Sequence, residues 1–146
     1  MDKYSIIWAQ AAQELFYAQS SEYVILKLPK HKDVPDSWTV SGKFDAFLGQ
    51  LPKSDCRYAL LAFFDEPVDG WSRAKYCFVS WLPEDAPAET AVRYHFHQAD
   101  LFDSLCEVLH NGFQHVAKTV AKIEARYYDD LAYEAVLDQV NRQIES

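Results

Sequence analysis

Histidines, cysteines and one short cationic loop are the residues of this chain whose types and spacing could do chemistry. His95 and His97, with His110 and His115 farther on, are of the type that ligates zinc or copper. An i,i+2 pair on a helix points to different faces, so these histidines read as solvated or packing residues and no metal site is expected. Cys56 or Cys106 beside a histidine and an acid would make a nucleophile. Neither lies in a nucleophile elbow or a cysteine-protease context, and buried thiols are commonly core residues, so the chain is read as a non-enzyme. The three cysteines, Cys56, Cys77 and Cys106, form no CxxC spacing and are odd in number, which argues against both a zinc knuckle and a disulfide framework. Reduced thiols in a cell interior fit best. What remains is non-covalent: Trp71 beside Gly70, followed by Arg73 and Lys75. A tryptophan at a loop tip offers large contact area at low entropic cost, and the two cations are either its partners in recognition or plain solubilising charge.

The element that must present this loop is a β-hairpin. Cys56 to Phe64 and Lys75 to Trp81 are continuous apolar and aromatic runs of the kind found in strands covered on both faces. Between them, Asp65-Glu-Pro-Val-Asp-Gly-Trp-Ser-Arg carries Pro67 and Gly70 among charges that are costly to bury, so this loop is expected to project into solvent.

At 146 residues the chain fits one domain, residues 1–146, large enough to bury roughly two-thirds of its unfolded surface. An apolar fraction of 49%, with 15% aromatic, is that of a packed globular protein. There is neither a signal-like start nor an apolar run of about 18 residues, so a soluble cytoplasmic protein without membrane insertion is expected. The net charge of −8 disfavours nucleic-acid binding, which needs a concentrated basic surface.

In chain order, Ile6, Ile7, Ala11, Leu15 and Ala18, widened by Trp8 and Phe16, predict an amphipathic helix over Ser5 to Ala18. Tyr23 to Leu28 reads as a strand closed by Pro29, and Ser37 to Ser41 as a short strand ended by Gly42. Lys30 to Asp36 reads as a loop. Phe44, Phe47, Leu48 and Leu51 predict a two-turn helix stopped by Pro52. After the hairpin, a helical stretch from about Pro87 to Phe96 and another from Ala99 to Leu109 are expected, with Asn111-Gly112 as the stop. In Phe113 to Ala125, Val116, Val120 and Ile123 fit a helix, whereas Thr119 to Ile123 fits a final strand, and the strand is favoured for the C-terminal half. Asp129 or Asp130 is expected to cap a last helix in which Leu131, Val136, Leu137 and Val140 face inward. Helices before, between and after these strands imply an α/β fold, a mixed sheet with helices packed on its faces.

Several stretches then resemble one family. Phe44-Asp-Ala-Phe-Leu, Leu51-Pro and Cys56-Arg-Tyr-Ala are similar, in the same order, to the Tyr-Asp-x-Phe-Leu, Leu-Pro and Cys-Arg-Tyr-Ala of the ADF/cofilin family. Arg73-Ala-Lys75, Phe78-Val-Ser-Trp-Leu-Pro-Glu-Asp-Ala-Pro87 and Tyr133-Glu-Ala-Val-Leu-Asp-Gln-Val-Asn-Arg142 continue the series. The chain is thus identified as a divergent member, a single ADF-homology domain. The resemblance implies an ADF-homology fold with a central mixed sheet of about five strands between helices. It also implies no cofactor, no catalysis, a monomer in the cytoplasm and cytoskeleton, and actin as partner. The expected function is binding of filament sides, with severing or disassembly. A glia-maturation-factor-like or coactosin-like regulator, binding the branching complex or filaments without severing, is the alternative.

The resemblance also implies two binding surfaces. For filament contact it points to Arg73, Lys75, Asp138 and Arg142, with Trp71 beside them, while Gln139 stands where a basic residue is expected. For monomers and filaments alike it points to the long helix, where the register Val-Arg-x-Lys-Met-x-Tyr-Ala-Ser-Ser-Lys falls on Ala88 to Gln98. There Glu89 replaces Arg, Ala91 replaces Lys, Val92 replaces Met and Gln98 replaces Lys; Tyr94 is retained and Arg93 is an unmatched cation. Lost cations and one reversed charge at an interface with acidic actin predict weakened monomer binding. The Ser-Gly start that many members phosphorylate is absent. Between Gln98 and Ile123 the chain is longer than typical members, and Ile123-Glu-Ala-Arg126 fits either relative.

Overall fold

The computed structural model describes residues 4–16, 22–30, 35, 40–64, 74–112 and 120–144. Its centre is the expected hairpin: β3 (Arg57–Phe64) pairs antiparallel with β4 (Ala74–Trp81) along its whole length, from Arg57 opposite Trp81 to Phe64 opposite Ala74. Strand β1 (Tyr23–Leu26) pairs antiparallel with β3, and β2 (Val40–Gly42) pairs with the outer side of β1. On the other flank β5 (Val120–Ala125) runs parallel to β4, giving a five-stranded mixed sheet in the order β2-β1-β3-β4-β5. A parallel neighbour requires a crossover, and the 25-residue helix α2 (Ala88–Gly112) supplies it.

Side-chain alternation along the hairpin divides two cores. Tyr58, Leu60, Ala62, Tyr76 and Phe78 face α2 and the first helix, α1 (Ser5–Phe16). Ala59, Leu61, Cys77, Val79 and Trp81 face the other side, where Phe47, Leu51, Leu131 and the last helix, α3 (Tyr133–Gln143), cover them. Both faces of the hairpin are therefore buried, as its unbroken apolar runs require.

Large side chains with polar tips fasten the layers. The Trp8 indole N–H donates to the Leu101 carbonyl at 3.0 Å, joining α1 to α2. The Tyr94 hydroxyl accepts from the Leu28 N–H at 2.8 Å, and the Tyr58 hydroxyl donates to the Tyr94 carbonyl at 2.7 Å, with the two rings 4.7 Å apart. The Trp81 indole N–H donates to the Pro52 carbonyl at 2.7 Å.

Several expectations are corrected in detail. In α1 the inward stripe is Tyr4, Trp8, Ala11, Ala12 and Leu15, while Ile6 is 66% exposed. Residues two apart on a helix lie about 200° apart, so Trp8 and Ile6 cannot both face the sheet, and the indole has the greater area to bury. The expected end at Ala18 lies outside the described residues. Strand β1 ends at Leu26 rather than Leu28, and the short strand, Val40–Gly42 among the described residues, runs one residue past the expected end at Ser41, while 37–39 lie outside the described residues. Gly42 pairs with Tyr23, whose ring lies so close that a Cβ on the glycine would sit 3.1 Å from its hydroxyl. Phe44 to Leu51 forms two successive 3₁₀ turns, Phe44–Ala46 and Leu48–Gln50, instead of a two-turn α-helix. The segment is short and stopped by Pro52, and i+3 bonds such as Phe47 N–H to Phe44 C=O at 2.9 Å still put Phe47 and Leu51 into the core.

The two stretches expected after the hairpin are one helix, α2, because nothing between Phe96 and Ala99 breaks the pattern. The last strand is Val120–Ala125, two residues farther along at its end than expected. Asp130 does cap, but it caps a 3₁₀ turn (Tyr128–Leu131): its carboxylate accepts from the N–H groups of Arg126 and Tyr127, each at 3.1 Å. Helix α3 begins after it, with Ala132 at the N-cap. Leu131, Val136 and Val140 are buried as expected, while Leu137 is only half-buried.

The Tyr94 clamp yields a direct test. Tyr94→Phe leaves the buried Leu28 N–H without its acceptor and is expected to lower unfolding free energy by about 1–3 kcal/mol in urea denaturation, with the ring packing intact.

Candidate functional site

One candidate surface forms where the hairpin meets α3. Lys75 lies near the start of β4, opposite Phe63 on β3, and its Nζ donates to Asn141 Oδ1 at 3.2 Å. Asp138 and Arg142 project from the exposed side of α3 one turn apart, and Arg142 Nε lies 3.0 Å from Asp138 Oδ2. The guanidinium keeps 71% of its side-chain surface open, and an exposed i,i+4 pair contributes only about 0.3–0.5 kcal/mol. The pair therefore orients Arg142 without sequestering it. Gln139 is exposed on the same helix and accepts from Gln143, whose side chain also bonds the backbone N–H and C=O of Lys122 on β5 at 2.7 and 3.0 Å. The structure thus brings together Lys75, Asp138 and Arg142. Arg73 and Trp71, with the loop expected to project into solvent, lie outside the described residues.

Beside this surface lies an aromatic group that the sequence did not single out as a site. Tyr133, 51% exposed at the start of α3, meets Phe44 edge-on at 5.2 Å and lies 6.0 Å from Phe63. Phe44 and Tyr133, with Glu22, Lys43, Asp45, Leu48 and Ala132, line a cleft of about 580 Å³. The signal was present in the sequence, since Phe44 and Tyr133 both open stretches that resemble a family motif.

The second candidate surface is the first half of α2. Glu89 is exposed and Val92 is 68% exposed. Arg93 is half-buried and donates to the Pro29 carbonyl at the end of the first strand's extension. Gln98 is half-buried, its amide 3.1 Å from His95 Nδ1, which in turn lies 2.9 Å from the Glu124 carboxylate on β5. Tyr94 is corrected from contact residue to core residue: only 1% exposed, it cannot touch a partner. Its retention in the sequence reflects the clamp described above. The residue missed on this face is Phe96, 74% exposed, four positions after Val92.

The comparisons with known proteins agree with this architecture. The family described as cofilin/tropomyosin-type actin-binding protein matches residues 8–141. The cofilin of Schizosaccharomyces pombe is 33% identical over 136 residues, covering 92% of this chain and 90% of its own. That of Mycosarcoma maydis is 30% identical over 132 residues, covering 89% and 87%. Among solved structures, Streptomyces griseoflavus cofilin superposes with a TM-score of 0.70 at 25% identity, covering 92% of this chain and 93% of that one. Human coactosin-like protein shares the fold at a TM-score of 0.67 and 13% identity, covering 94% and 87%.

The remaining titratable chemistry is internal. Among the described residues no group of three metal-ligating side chains is close enough to hold an ion, and no helix is long and apolar enough to cross a membrane. Burial pushes the Cys56 thiol up from 9.0 to about 11, with the Asp55 carboxylate adding to the effect, and pushes Cys77 up to about 12. Desolvation, then the charge of Asp103, raises half-buried Cys106 as well. Thiols raised in this way are poor nucleophiles at neutral pH, which suits packing residues. Native protein at pH 8 is expected to react with a thiol reagent only at Cys106, and with all three cysteines after unfolding. A folded-state pKa above the ordinary value stabilises fully below pH 9 and loses that contribution as pH rises towards 11 to 12. Urea unfolding at pH 10.5 is accordingly expected to show a stability lower by on the order of 1–3 kcal/mol than at pH 7.5.

Proposed function

The chain belongs to the ADF/cofilin family, and from that membership we propose that it binds actin, decorates filament sides and promotes their severing or disassembly in the cytoplasm. The observation that carries the filament reading is the contact between Lys75 and Asn141. It joins the start of β4 to α3, the helix that also carries the exposed Arg142, so that two cations far apart in sequence stand on neighbouring elements. On an acidic chain such a patch is what an acidic partner needs, because local charge governs contact while net charge acts only at longer range. Arg73 and Trp71, two and four positions before Lys75 in the sequence, enter the proposal from the resemblance alone.

The action is that of a binding protein acting as a monomer, without cofactor, metal or catalysis. Rigid two-sided packing of β4 supports this reading, since a clamp on a filament works by holding two contact surfaces at fixed separation. The altered first half of α2 supports weaker binding to monomers than to filaments. Glu89 places a negative charge where relatives of the resembled pattern carry a positive one, and facing an acidic partner this costs affinity.

Co-sedimentation tests the proposal. Wild-type protein is expected to pellet with actin filaments at low salt. Lys75→Glu and Arg142→Glu are each expected to weaken pelleting about tenfold or more, and the double change Arg73→Glu with Lys75→Glu to abolish it. Thermal unfolding should stay within about 2 °C for the exposed-site variants. Failure of wild type to pellet at low salt overturns the proposal.

A further inference from the structure

Strand β5 lies at one end of the sheet, with β4 on its inner side and, among the described residues, no strand on its outer side. An edge of this kind offers a row of backbone N–H and C=O groups to any second strand. Here the row is occupied at its middle. The Gln143 side chain, at the last position of α3, accepts from the Lys122 N–H at 2.7 Å and donates to the Lys122 carbonyl at 3.0 Å, which are the two bonds that a neighbouring strand would make to that residue. Backbone groups alternate in direction along a strand, so Val120 and Glu124 face outward with Lys122. Ala125 faces inward, its carbonyl accepting from the Leu82 N–H just beyond β4 at 2.8 Å.

The charges along this edge match those of a second copy. Two β5 strands laid antiparallel about a two-fold axis must set outward residues opposite outward residues, and two such registers overlap most of the strand. With the axis at Lys122, residues 120–124 overlap and Lys122 meets Lys122. With the axis at Ile123, residues 121–125 overlap and Lys122 of each copy meets Glu124 of the other, so two pairs of opposite charge form at once. Both side chains are exposed and stand on the same side of the sheet, towards α2. Lys122 Nζ lies 5.0 Å from the centre of the Phe102 ring, and the Glu124 carboxylate lies 2.9 Å from His95 Nδ1.

We infer that the outer edge of β5 is a pairing surface for a second copy of this chain, held closed by Gln143, whose side-chain amide fills the central position that the second strand would take. Pairing in the Ile123 register needs the backbone groups of Lys122 in both copies, and each is engaged until its amide leaves. The single chain thus keeps an occupied edge, and a chain without the amide presents an open, self-complementary one that associates isologously. Actin plays no part in this contact.

Sedimentation equilibrium of the full chain at about 100 µM tests the inference, in a range where weak self-association is visible. Wild type is expected at the mass of one chain, 16.8 kDa. Gln143→Ala is expected to self-associate at least about tenfold more tightly than wild type, and so is Gln143→Leu, which keeps the bulk of the side chain without either bond. Adding Lys122→Glu to either variant sets acids opposite each other and is expected to return it to the monomer. Adding Glu124→Lys as well restores opposite signs and the dimer. Simple loosening of α3 would not follow that pattern of signs. Gln143 is exposed, so both variants should fold, and thermal unfolding identifies which of them to read. Folded Gln143 variants that stay monomeric overturn the inference, as does association that Lys122→Glu leaves unchanged. Wild type that is already a dimer overturns the role given to Gln143.

Discussion

Pairing of β3 with β4 buries both faces of both strands, and almost every other feature answers that constraint. A strand pair of this kind has no solvent side, so its backbone groups must be satisfied by flanking strands and its side chains covered by separate layers. Strands β1 and β5 do the first. Helices α1 and α2 cover Tyr58, Leu60, Tyr76 and Phe78, and α3 with the 3₁₀ segments covers Ala59, Leu61, Cys77 and Val79. Remove either layer and a continuous apolar sheet face meets water, at a cost of about 25 cal/mol for each Å² exposed. Three layers are the smallest number that this sequence can adopt.

The same constraint sets where the two candidate surfaces lie. Strand β4 begins beside Lys75 and ends at Trp81, from which the chain passes through Pro83 and Pro87 into α2. One surface therefore grows from the start of β4 on the α3 side, and the other from the helix that follows its end, on the opposite side. Neither depends on a loop for its placement. Lys75 is held by pairing with Phe63 and by Asn141, and the exposed face of α2 is held by the Tyr94 and Trp8 hydrogen bonds behind it. Precision in binding follows from side chains presented on rigid elements, because little conformational entropy is then lost on contact.

Most of the fold was legible in the sequence because period and continuity of apolar residues are properties of the chain itself. The hairpin, α3 and the mixed sheet came from that signal, whereas in the β5 segment it fitted a helix as well as a strand. Its failures are local. Ile6 and Trp8 both fitted a helical stripe, and only the shape of the facing sheet decides between them. Phe44 to Leu51 has the apolar spacing of an α-helix, but in so short a segment i+3 and i+4 bonding differ by too little for the sequence to choose. The site was legible in part for a related reason. Motif resemblance located Lys75, Asp138, Arg142 and Val92, yet retention of Tyr94 in that motif carried no sign that it serves the core. Phe96 departs from the family pattern, so resemblance passed over it, and its exposure became visible only once the direction of each α2 side chain was set by the packed inner face.

The two surfaces also differ in the physics of attraction. Cations at Lys75 and Arg142 act at a distance and favour encounter with an acidic partner, although the chain as a whole, at −8, is repelled by it. In the free protein solvent competes for these groups, so each gains most where the partner excludes water. The exposed face of α2 has the opposite character. Its exposed acids Glu89, Asp100 and Asp103 offer an acidic partner no attraction during approach. Under the proposed function, charge on the α3 side of the sheet favours formation of the complex, and the acidic stripe of α2 on the other side adds no such attraction. Where the family pattern has cations and α2 has acidic and apolar residues, the proposed function therefore implies slower capture on that side of the sheet.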